Sequence, residues 1–331
     1  MGNATINHDN AKRSGSGVLV VTPRAVYELA DPSRRSLPKP CFEAEGIACA
    51  ARGEGCDVVA MDDGTVHVLD GGGSRELGEP VPRRVDCLLV LRTEPLVVLA
   101  GTLDARLFRV TEAGAEQIRT FDELSVRDQW GTPWGGPPSV RSLAAEPGGW
   151  VYADIHVGSI MRSDDAGETW EPVTPTLHKD VHQVSTSPAG PGWVYANTAK
   201  AVFVSEDHGQ TWQDRGEGLA DRYGRCITAS PDDPELILAT VSDGPHGENV
   251  HGQLYRSEDA GRSWQQITDG FPDSTPENIN TYHVAFETDD LAWALAGETL
   301  HAGTNRAREW EPVVSFPHEP IMVAGPAAMV G

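Results

Sequence analysis

Three segments of the chain repeat one eight-residue pattern, S-x-D-x-G-x-T/S-W: residues 163–170 (SDDAGETW), 205–212 (SEDHGQTW) and 257–264 (SEDAGRSW). A worn fourth copy keeps the spacing through Gly303, Asn305, Ala307, Glu309 and Trp310. The four tryptophans are 42, 52 and 46 residues apart. A period of this size marks a supersecondary unit that cannot bury its apolar face alone and must stack on copies of itself. It is the length of one four-stranded propeller blade.

The surroundings of the motif repeat too. An apolar strand precedes each copy (150–153, 193–196, 236–239, 291–296), and a second strand leads into it (159–162, 201–204, 253–256). A further strand lies upstream, as at 181–186 and 226–229. The motif is then the hairpin between the third and fourth strands of a blade. Its Asp accepts turn N–H groups, its Gly supplies a positive φ, and its Trp packs between blades.

On these residues the chain resembles the Asp-box, or BNR-repeat, propellers. That superfamily includes sialidases, sortilin-type domains, photosystem-assembly propellers and many proteins named as glycosyl hydrolases. The resemblance covers about residues 140–315. It implies an all-β propeller, WD40/YVTN-like in layout, with the box residues structural and on the face away from the ligand entrance.

The N-terminal half holds fainter blades. Segments 18–21 and 25–29 read as two strands of one; 47–50, 57–61, 65–69 and 74–77 as a second; 85–91, 96–101, 106–110 and 116–120 as a third. With the four boxed blades the count is seven, or six if the first segment is not a full blade. Residues 320–325 are placed to supply the innermost strand that the first blade lacks, which would remove an open sheet edge. The expected organisation is a disordered leader over 1–16 and one domain over 17–331.

Composition narrows the function classes. The net charge is −23, and four of the 26 basic residues are Lys. Such a surface suits high salt, or reflects an Arg-rich genome, and it argues against nucleic acid and anionic membrane as partners. The five cysteines form no CxxC pair, which suggests neither a disulfide framework nor a thiolate zinc site. With no apolar signal segment, a cytoplasmic location is the expectation.

Propeller connectivity sorts polar residues by face. The loops entering each first strand, and those joining second to third strands, share the face opposite the boxes. Aligned first strands put Arg141, His182, Arg225 and Tyr282 at matching positions near that mouth, with His283 there instead if the register slips by one. Second-strand ends add Asp154, His156, Asn197 and Ser242. Two insertions fall on the same side: 119–140, with Asp128, Trp130 and Trp134, and 242–252, with Asp243, His246, Glu248 and His251. Extra loops held on one face of a rigid scaffold are where ligand sites form.

The candidate catalytic set is Arg141, Asp154, His156, His182, Arg225 and Tyr282. The candidate ligand contacts are Trp130, Trp134, Asn197, Asp243 and His246. Imidazoles suit Zn, Cu, Fe or Ni, and His156, His182, His251 and His283 are the candidate ligands of a divalent transition metal. Glycosidase chemistry needs two carboxylates across the sugar, and Asp154 with Asp243, Glu248 or Asp128 would supply them. Sialidase activity is disfavoured, because the Arg-Ile-Pro signature of those enzymes is absent and only two arginines match their triad. The favoured reading is a binder of a small molecule or glycan and, if an enzyme, a metal-assisted hydrolase or lyase. A non-catalytic scaffold for a protein partner is the alternative.

Overall fold

The computed structural model describes residues 17–71, 73–173, 176–245, 249–326 and 330. The leader expected over 1–16 lies outside them. The described residues form seven four-stranded antiparallel sheets with almost no helix. No helix among them is long and apolar enough to cross a membrane. The fold is an all-β, seven-bladed propeller; the six-bladed alternative falls because the first segment does build a sheet.

That sheet is completed from the other end of the chain. Strands Val18–Val21, Ala25–Leu29 and Phe42–Glu43 make the outer part of blade 1, and Met322–Ala324 pairs with Val18–Val21 as its innermost strand. The register is Leu19 to Ala324, Val20 to Val323 and Val21 to Met322. Blades 2 to 7 open on the first strands Ile47–Arg52, Val85–Thr93, Val140–Ala145, Val181–Thr186, Tyr223–Ala229 and Val284–Thr288. These innermost strands touch in a closed ring with Met322–Ala324.

The boxes form the predicted hairpins between third and fourth strands. In blade 4, Asp165 Oδ1 accepts the N–H groups of Glu168 (3.0 Å) and Thr169 (2.9 Å), and Oδ2 accepts the Thr169 hydroxyl at 2.6 Å. Ser163 Oγ accepts Gly167 N–H at 2.8 Å. Partial burial would raise the Asp165 carboxyl, but the bonds from Thr169 and Ser163 outweigh it and hold it below its ordinary value. The turn needs a positive φ at Ala166 (58°) and Gly167 (85°). Trp170 donates to Gly167 O at 3.1 Å and packs edge-on against Phe121, which follows blade 3. Each such ring seals a blade junction, worth on the order of 3 kcal/mol.

Candidate functional site

The first strands of blades 4, 5 and 6 share an irregularity where they enter from the mouth. Their register slips between Val140 and Ser142, between Val181 and Gln183, and between Gly224 and Ile227. The residues at the slips are Arg141, His182 and Arg225. A bulge of this kind bends the strand and re-aims one side chain. Arg141 and Arg225 line a cleft of about 710 Å³ with Trp134, His156, Asp180, Tyr223 and Pro245. His182 forms its inner wall, with Nε2 3.3 Å from both Asp180 Oδ1 and the Tyr223 hydroxyl.

Asp180 was absent from the sequence-derived set. It sits one residue before a first strand, on the loop that reaches the mouth, and extending the face sorting by that residue would have found it. His156, at the end of a second strand, brings Nε2 to 3.7 Å from Asp180 Oδ1. The His182 ring is fully buried and its Nδ1 bonds the carbonyl of Gly224. A carbonyl only accepts, so Nδ1 carries the proton.

The charges are unequal in their environments. Burial, reinforced by Arg141, pushes the His156 imidazole down to about 3. Burial also lowers His182, with Arg141 and Arg225 adding to it and Asp180 opposing. Burial works against ionised Asp180, but His182, His156 and Arg141 hold its carboxyl below the usual range. Two neutral imidazoles therefore face one carboxylate. Arg141 Nη1 and Arg225 Nε are buried without a hydrogen-bond partner among the described residues. Arg225 stacks over Tyr223 at 5.0 Å and donates to Pro245 O.

Other expected site residues fall elsewhere. Asp154 is wholly buried beneath the cleft, where it accepts the Ser142 hydroxyl at 2.7 Å. Burial raises its carboxyl to about 7. Asn197, at the same position of blade 5, is also fully buried and donates to Cys226 O and Thr240 O, stitching blade 5 to blade 6. Trp130 is core, packed 5.6 Å from Phe121, whereas Trp134 stands 66% exposed on the rim. Asp243 and His251, both exposed, pair with each other at 2.9 Å, and neither lines the cleft. His246 and Glu248 lie outside the described residues. The carboxylate among the cleft-lining residues is Asp180, so the structure does not bring Asp128 or Asp243 across from Asp154.

Tyr282 and His283 lie outside the cleft lining. Tyr282 turns into the central channel with φ +62° and accepts the Leu143 N–H at 3.0 Å. Thr281 donates to His182 O and Tyr282 N–H to Gln183 Oε1, so this loop crosses from blade 7 to blade 5 and floors the cleft. Below it, a smaller cavity of about 140 Å³ runs between the innermost strands.

His283 is buried apart from the other histidines, bonded to the Ile321 backbone, and burial lowers its imidazole to about 4. The unfolded chain binds this proton near pH 6.5 and the folded chain does not until about pH 4. Stability therefore falls as pH drops through that window, by about 3 kcal/mol from this group. Urea unfolding of wild type and His283→Gln at pH 7 and pH 4.5 should show a markedly smaller acid loss in the variant. Equal losses would contradict the burial of a neutral ring.

Together these features define a propeller with structural boxes on one face and a polar cleft at the mouth of the other. The chain is a seven-bladed β-propeller that resembles the Asp-box propellers in three of its hairpins. The family model for sortilin (neurotensin receptor 3) matches residues 158–275. The photosystem II assembly protein Ycf48 of Thermosynechococcus vestitus is 28% identical over 161 residues, 47% of this chain and 42% of the relative. A xyloglucanase of Paenibacillus sp is 25% identical over 199 residues, 53% of this chain and 18% of the relative. The matches thus span less than half the length of these relatives. Among solved structures, the GH74 enzyme of Niastella koreensis superposes with TM-score 0.64 at 13% identity, over 91% of this chain and 52% of its own. A YCF48 structure bound to D1 peptide superposes with TM-score 0.53 at 16% identity, over 81% of this chain and 82% of its own.

Proposed function

We propose that the cleft binds a small anionic molecule, an organic acid or an acidic sugar, and acts on it as a hydrolase or lyase. The observation that carries this reading is the pair of guanidinium groups, Arg141 and Arg225, that line one cleft with buried nitrogens left unpartnered. A buried donor without an acceptor is costly, and a carboxylate or phosphate satisfies two such forks at once. Trp134 on the rim offers an apolar face for a sugar ring or chain. Sugar hydrolases among the relatives support a glycan ligand.

The test is calorimetric titration with uronic acids, di- and tricarboxylates and inorganic phosphate, beside neutral sugars. Binding of an anion should weaken at least about 100-fold in the double variant Arg141→Gln/Arg225→Gln, since each charged hydrogen bond contributes about 1.5–3 kcal/mol. Neutral sugars that bind equally well in both proteins would overturn the anionic reading. The second reading, a non-catalytic scaffold, draws on the Ycf48 relative and on the peptide-bound YCF48 structure. It requires a protein or peptide partner that binds the double variant and wild type alike, with no small anion bound by either.

A further inference from the structure

We infer that His156, Asp180 and His182 form a centre for a divalent transition ion of the zinc class, at the inner end of this cleft. The inference rests on the cleft being the functional site, but its ligands are not the arginines that define the anion pocket.

Three observations carry it. The ligand atoms of these residues all lie within 4.8 Å of one another. A tetrahedral ion with bonds of about 2.0–2.2 Å holds its ligands roughly 3.4 Å apart, so a modest contraction closes the set. Second, Asp180 Oδ1 is buried and accepts no hydrogen bond among the described residues, although it lies 3.3 and 3.7 Å from the two Nε2 atoms. Third, His182 gives its Nδ1 proton to Gly224 O. This leaves the Nε2 lone pair available to ligate, turned toward Asp180 Oδ1 and the Tyr223 hydroxyl, each 3.3 Å away.

A ring whose far nitrogen is fixed on a backbone carbonyl is the usual second-shell arrangement of a metal-binding histidine. Two imidazoles and one carboxylate also leave a fourth position open, the pattern of catalytic rather than structural zinc sites.

The experiment is metal analysis of the intact protein by inductively coupled plasma mass spectrometry, followed by Zn²⁺ and Co²⁺ titration of chelator-treated protein. Wild type should hold about one ion per chain and give the visible absorption of low-symmetry Co²⁺. Asp180→Asn and His156→Gln, both partly exposed positions, should each bind at least 100-fold more weakly with unchanged circular dichroism. Arg141→Gln/Arg225→Gln should keep the ion, which separates failure of the anion pocket from failure of the metal centre. A wild type that binds neither ion at micromolar concentration would overturn the inference, as would equal affinities in wild type and both ligand variants.

Discussion

Ending the chain at Pro320 is expected to abolish cooperative folding. The missing segment carries the innermost strand of blade 1, Met322–Ala324, with all three side chains buried. It also carries the Ile321 N–H that bonds Val21 O and the Val323 N–H that bonds Tyr282 O, both at 2.7 Å. Losing the apolar burial alone costs about 5 kcal/mol, as large as the net stability of many domains. The loss would be aggravated by the bare edge left on Val18–Val21 and by the gap opened in the ring of innermost strands. Urea unfolding followed by tryptophan fluorescence should show no sigmoidal transition, or one with its midpoint near zero denaturant. A truncated chain with the wild-type midpoint would mean that the closure contributes little.

Tyr282→Ala is expected to cost about 3–5 kcal/mol, the range for removing a buried aromatic ring. The ring occupies the central channel and packs against apolar residues of the N-terminal and middle blades. Its removal also strips the acceptor from the Leu143 N–H. Tyr282→Phe keeps the ring and leaves that N–H unpaired, and should cost about 1–3 kcal/mol. The pair separates packing from hydrogen bonding in chemical denaturation. Similar costs for both variants would place the contribution in the hydroxyl; negligible costs for both would show that the plug is dispensable.

The local pattern carried most of the fold. The Asp-box turn is legible because its Ser, Asp, Gly and Trp act within eight residues, through bonds such as Thr169 N–H to Asp165. The fainter N-terminal blades were legible from apolar strand runs, which alternate with turn residues wherever a sheet is buried on both faces. Connectivity alone also assigned Arg141, His156, His182 and Arg225 to one mouth, since the path of the chain through a blade fixes which strand ends share a face.

Which of those residues meet was decided by tertiary structure. The slips at Arg141, His182 and Arg225 depend on how each strand pairs with its neighbour, and a one-residue slip reverses the direction of a side chain. Asp154 and Asn197, at matching positions near the mouth in sequence, are fully buried, while His156 reaches the cleft. Trp130 and Trp134 lie four residues apart in one loop, yet one is core and the other is rim, because only the folded loop determines which ring meets Phe121. Asp180 gained its place by contact with two histidines from different blades. The sequence by itself determined the repeat, the propeller class and which strand ends share a mouth, all set by interactions within a blade, while the choice of seven blades over six waited on the first sheet. The composition of the cleft came only from the packing of blades 4, 5 and 6 against each other, where residues more than twenty positions apart approach to within hydrogen-bonding distance.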